Sequence, residues 1–179
     1  IEGGEPFHAA GGKLEGIGTT PHLVVTQADG SLLTERRWDD GAALTHEELL
    51  EDLYQWADGH LPHHDIVAVG HRVVHGGVRF SAPVVVNDAV LKELDGLCSL
   101  APLHQPHNLA AIRAISKMAS NLPQIACFDT AFHHGIPDVA TRFALPRAFM
   151  ERGIRRYGFH GISYEYIARR LEQVDQALA

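Results

Sequence analysis

The sequence predicts an α/β layered fold, and three observations carry that prediction. Two short apolar runs of strand type stand at 65–70 (DIVAVG) and 124–128 (QIACF), a helical pattern opened by proline lies between them, and an Asp-Gly turn separates two β-rich runs near the start. In chain order, residues 22–36 (HLVVTQADGSLLTER) read as a hairpin around Asp29-Gly30. Thr45-His46-Glu47-Glu48 is a capping box, and Leu49, Leu50, Leu53 and Trp56 follow at helical spacing. The run at 65–70 is continuous enough for a strand buried on both faces, and HRVVHGG follows it at 71–77. Val84-Val85-Val86 is a further strand leading to Asn87 or Asp88 as a helix cap. Pro106 opens a helix whose apolar face is Leu109, Ile112, Ile115 and Ala119. Asp129 closes the strand at 124–128, and Ser163 is placed to cap a last helix with Ile167 and Leu171 on one side. No internal repeat and no low-complexity segment interrupts this order.

At 179 residues the chain is long enough for one full core, or for one domain and the beginning of a second. With 45% hydrophobic and 21% charged residues it reads as a soluble globular protein. A net charge of −7 argues against a general nucleic-acid surface, although local cations can still collect small anions. The two cysteines, Cys98 and Cys127, are too few for a disulfide framework and fit a reducing, cytoplasmic setting. No apolar run approaches the roughly 18 residues of a membrane span, so no membrane partner is expected. Neither Ile1-Glu2-Gly3-Gly4 nor the closing Leu178-Ala179 resembles a natural terminus. Thirteen histidines are the compositional outlier, and histidine is the side chain suited to proton transfer and charge compensation near neutral pH.

Ligands in open α/β sheets bind beyond the carboxyl ends of the strands, which is where Arg72 and Asp129 fall. Arg72, close to Gly76-Gly77, suits bidentate recognition of a carboxylate or phosphate, and equally a structural pairing with an acid at the sheet end. Asp129-Thr130 could order a metal-bound water or cap the next turn. APLHQPHN at 101–108 places two histidines in a proline-stiffened loop. RRYGFHG at 155–161 reads first as a glycine-rich turn around a buried histidine, and second as a helix N-terminus offering backbone N–H groups to a phosphate. A histidine-dependent metal hydrolase is a minority alternative, because neither H-E-x-x-H nor a closed Cys/His set is present.

Four segments together are more specific than any one. VGHRVVHGG (69–77), APLHQPHN (101–108), CFDTAFH (127–133) and RRYGFHG (155–161) resemble the successive signature blocks of acetate kinases (the acetokinase family of acetate and propionate kinases), in the family's order and spacing. The resemblance runs from GKLEGIG at 12–18 through the helix after Ser163. It implies the RNase H-like fold shared with actin, Hsp70 and sugar kinases, in which two such domains flank a nucleotide cleft. Residues 1–131 would then be most of the N-terminal domain, without its first hairpin. Residues 132–179 would start the second, nucleotide-side domain, whose ATP-binding segments this chain lacks.

The implied reaction moves the γ-phosphoryl of ATP, with Mg²⁺ or Mn²⁺, onto a short-chain carboxylate, reversibly giving acetyl phosphate and ADP from acetate. By resemblance Arg72 binds the acid's carboxylate, His160 stabilises charge on the transferring phosphoryl group, and His104 positions the phosphoryl or acetyl group. Val74, Leu103 and Phe159 match the positions that enclose the alkyl tail. Asp129 matches a residue assigned to proton transfer in the family. A short fatty acid has a pKa near that of glutamate, about 4 to 5, and is already ionised at pH 7, so Asp129 is expected instead to order Mg²⁺-bound water or to hold Arg72 in its productive rotamer. Two departures are visible: Ile162-Ser163-Tyr164 where many members read TSH, and His104-Gln105-Pro106 where many read HNP. The full-length protein is expected to be a homodimer acting on acetate or propionate, and the 179-residue chain alone is predicted inactive. The alternatives are butyrate kinase, which differs in pocket depth, and a non-catalytic interaction fragment of this fold.

Overall fold

In a computed structural model, which describes residues 7–39, 43–60 and 66–175, the first strand is one that residue alternation did not reveal. β1 (Ala10–Glu15) pairs antiparallel with β2 (His22–Gln27), which pairs antiparallel with β3 (Leu32–Arg37). Gly11-Gly12 and the charged Lys13 hide β1 from pattern reading, because neither supplies the apolar alternation of a half-buried strand. The β2–β3 turn is the expected one: Gly30 has φ +85°, and Asp29 Oδ1 accepts from the Ser31 amide at 2.9 Å. Leu23 and Val25 are the buried face of β2. α1 (His46–His60) begins with the expected reciprocal cap, Thr45 N–H donating to Glu48 Oε2 at 2.8 Å and Glu48 N–H to Thr45 Oγ1 at 3.2 Å. These elements make up most of a first compact unit, 1–57.

The second unit, 58–179, is built on a three-stranded sheet. Of the strand expected at 65–70, Asp65 lies outside the described residues, and β4 itself is Val69–Val73. Its register is set by pairing along the whole of β6, from Val69 opposite Gln124 to Val73 opposite Phe128. Arg72 is therefore the penultimate residue of β4 instead of following it. Burial also alternates, with Val73 fully buried and Val67, ahead of the strand, 60% exposed, so one face of the sheet carries the core. β5 (Val84–Val85) is a short antiparallel edge beside β6 (Gln124–Phe128), giving the order β4-β6-β5.

The crossover from β4 to β6 includes α2 (Asp88–Gly96) and α3 (Gln105–Met118). Asn87 is the cap of α2, its Oδ1 accepting from the Val90 amide, and Pro106 takes the second position of α3, where no amide hydrogen is missed. Val73, Phe80, Leu94, Leu109, Ile112, Ala126 and Phe128 form one apolar core, in which Phe80 stacks on Phe128 at 5.1 Å. Each of the larger side chains, Ala126 aside, contributes about 1.5–3 kcal/mol on burial, enough to fix β4 and β6 side by side with their carboxyl ends together.

After β6 come a single helical turn at Ala131–His133, α4 (Asp138–Thr141), α5 (Arg147–Glu151) and α6 (Gly161–Val174). The cap of α6 is His160 and not Ser163. His160 stands in the left-handed region at φ 58°, ψ 24°, and the helix starts at once behind it because the Gly161 amide donates to Asp129 O at 2.8 Å. Within this unit α6 contacts both β6 and the Ala131–His133 turn. No helix among the described residues is long and apolar enough to cross a membrane.

Candidate active site

Because β4 and β6 run parallel as neighbours, the end of one meets the end of the other. Arg72 from β4 reaches Asp129, just past β6, through three hydrogen bonds: Nε to Oδ1 at 3.1 Å, Nε to Oδ2 at 3.0 Å and Nη2 to Oδ2 at 2.6 Å. Asp129 is 2% exposed while the Arg72 side chain is 62% exposed, so a buried carboxylate fixes a cation that still faces solvent. The hydrogen bonds that Arg72 donates to Asp129 raise the already high pKa of its guanidinium further. Arg72 Nη2 also lies 3.2 Å from His160 Nδ1. A guanidinium has only protons to offer, so Nδ1 accepts and the ring hydrogen of His160 sits on Nε2.

The segment after β4 is held by side chains, since it has no strand partner. Asn108 Oδ1 accepts from the Val74 amide at 3.0 Å, and Gln105 Oε1 accepts from the His75 amide at 3.2 Å while its Nε2 donates to His75 O at 3.0 Å. Thr130 Oγ1 accepts from the Gly76 amide, and a Cβ at Gly76 would lie 2.7 Å from Phe80 O. Gln105 is wholly buried, which explains why Gln can stand in the His104-Gln105-Pro106 loop: it acts as a two-way peptide mimic. His75, also buried, accepts from the Gly77 amide at its Nδ1, and burial pushes its pKa down.

A cavity of about 630 Å³ opens over these strand ends. Arg72, Val74, His104, Asp129, Phe159 and His160 all line it, so six of the seven residues expected at the site converge there. Leu103 does not. It is 78% exposed, and Leu100 and Ala101 line the wall instead, because the turn before α3 directs the 103 position outward. Sequence reading also missed Asn108, for which a signal existed: it stands four residues after His104, one turn along the same helix.

Residues 23–178 match the acetokinase family. The chain belongs to that family. An acetate kinase of Rhodopseudomonas palustris (strain ATCC BAA-98 / CGA009) is 51% identical over 169 residues, which is 94% of this chain and 42% of that protein. Among solved structures, a propionate kinase from Francisella tularensis matches with a TM-score of 0.81 at 32% identity, over 92% of this chain and 42% of that one. An acetate kinase of Porphyromonas gingivalis matches with a TM-score of 0.79 at 33% identity, with the same coverage. The chain thus spans about two fifths of the length of the acetokinases it matches, and its fold is theirs, of the actin, Hsp70 and sugar-kinase type.

The departure from the acetokinase motif at Tyr164 has a visible use. Tyr164 stacks on Phe132 with ring centres 6.2 Å apart and meets His133 edge-on at 5.4 Å. Among the described residues no three His, Cys, Asp or Glu side chains come together to hold a metal ion, and both oxygens of Asp129 are taken by Arg72.

Burial lowers the pKa of both His71 and His75. Below the unfolded value of about 6.5 the unfolded chain therefore binds protons that the folded chain refuses, and stability falls as pH falls towards the folded values. Urea midpoints should drop between pH 7 and pH 5, and His75→Gln should flatten part of that slope. A midpoint that rises on acidification would contradict the assignment of neutral, buried imidazoles.

Proposed function

We propose that the full-length protein is an acetate or propionate kinase, moving the γ-phosphoryl of ATP onto a short-chain carboxylate with a divalent cation, Mg²⁺ or Mn²⁺, and running reversibly through the acyl phosphate. The observation that carries this reading is the meeting of Arg72, Asp129, His104 and His160 in one cavity whose other walls include Val74, Leu100 and Phe159. Both reactants are anions, and phosphoryl transfer asks a protein mainly for alignment and charge compensation.

On this reading Arg72 binds the acid's carboxylate, its rotamer fixed by Asp129. No base is required for an acid already ionised at pH 7. His160 offers its Nε2–H to the equatorial phosphoryl oxygens, and His104, at the N-terminus of α3, steadies the group from the opposite wall. Residues 132–179 are the start of the nucleotide-side domain, and the full-length protein is a homodimer.

A hydroxamate assay of the full-length protein with ATP and Mg²⁺ tests the reading. Acetate and propionate should both give the acyl hydroxamate, with kcat/KM differing by about 10- to 200-fold per methylene, the range a small apolar pocket can enforce. Butyrate as the best substrate would shift the assignment to butyrate kinase, and no hydroxamate from any of the three acids would remove it.

A further inference from the structure

We propose that His133 is a positioning residue, whose ring clamps the 158–161 hinge and thereby keeps His160 in the backbone setting that brings it to Arg72. Residues 129–133 grip the hinge at two points. At one, the Gly161 amide donates to Asp129 O at 2.8 Å. At the other, His133 Nε2 lies 2.9 Å from Phe159 O, and since a carbonyl only accepts, Nε2–H donates. The single residue between Phe159 and Gly161 is His160, the one non-glycine residue with positive φ among those described. A left-handed histidine persists only where its surroundings over-determine it.

The ring is itself immobilised. A Cβ on Gly158 would fall 2.3 Å from His133 Cγ, so the imidazole rests directly on bare backbone. Phe132 and Tyr164 meet it edge-on at 5.3 and 5.4 Å. His133 does not line the cavity that holds Arg72 and His160, so it acts through His160 and not on a ligand.

The kinetic arm of the test rests on the kinase reading, and a spectroscopic arm does not. In the full-length protein, His133→Ala should lower kcat about 10- to 100-fold, as small misplacements of a catalytic group do, with KM for acetate within about twofold. His133→Gln, which keeps an amide N–H at a similar reach, should recover part of that loss. His134→Ala removes a neighbouring ring whose Nε2 lies 3.1 Å from Val78 O and not from a hinge carbonyl, and should leave kcat within about twofold. In a His160→Ala background, His133→Ala should cost nothing further. Independently of turnover, NMR of ¹³C-histidine-labelled protein should show the His160 ring resonances displaced by His133→Ala and not by His134→Ala. Unmoved His160 resonances, or additive kcat losses in the double variant, would overturn the proposal. An inactive wild type with displaced resonances would leave the clamp standing and sink the kinase reading.

Discussion

His160→Ala in the full-length protein is expected to lower kcat by about 10² to 10³ while leaving KM for acetate nearly unchanged, the signature of a donor acting on charge that develops during transfer. Arg72→Ala should fail differently. Its guanidinium would meet the acid in both the ground and transition states, and losing hydrogen bonds to a charged group, at about 1.5–3 kcal/mol, corresponds to a KM rise of about 10- to 100-fold. A further loss of kcat should follow from misalignment. Both parameters are needed for both variants, with ATP and Mg²⁺ saturating. A His160→Ala enzyme with raised KM and intact kcat would place the histidine in the acid pocket.

The second large effect is expected at Asp129, and it separates activity from stability. Asp129→Ala removes three of the four hydrogen bonds of the Arg72 side chain, leaving only that to His160, so its kinetics should approach those of Arg72→Ala, and the double variant should be little worse than either. Stability should follow the opposite partner. Arg72 is mostly in solvent and can rehydrate when Asp129 is gone, whereas Arg72→Ala strands a carboxylate that is 2% exposed, at a cost of about 1–3 kcal/mol or more. Denaturant midpoints should therefore fall further for Arg72→Ala than for Asp129→Ala. The reverse order would mean that Asp129 is held by something other than its arginine.

The parts of this molecule written in local chemistry could be read from residues alone. The Asp29-Gly30 turn, the Thr45 capping box, the Asn87 cap and the apolar face of α3 each depend on neighbours within a few positions, and each stands as expected except that Ala119 is the C-cap of α3 and Ala114 is buried on it instead. Features decided by distant partners were less legible. β1 exists because β2 supplies its hydrogen bonds, and β4 begins at Val69 because β6 sets its register. The Ser163 cap was displaced by a contact between Gly161 and Asp129, which are far apart in the chain. The cavity follows the same rule: strand ends alone point to Arg72 and Asp129 as neighbours, whereas the turn before α3 decides that Leu100 lines the wall and Leu103 is exposed.

The left-handed setting of His160 has a consequence for how this position can change over generations. A non-glycine residue there carries about 1–2 kcal/mol of backbone cost. Glycine would relieve it, offset by about 0.4–1 kcal/mol from its greater freedom when unfolded. The neutral drift of the backbone therefore leans towards glycine, and only the work assigned to the imidazole opposes it. If His160 acts as proposed, durability and turnover pull residue 160 in opposite directions, and a lineage that ceased to need the reaction would be expected to lose this histidine early and to gain a slightly sturdier fold by doing so.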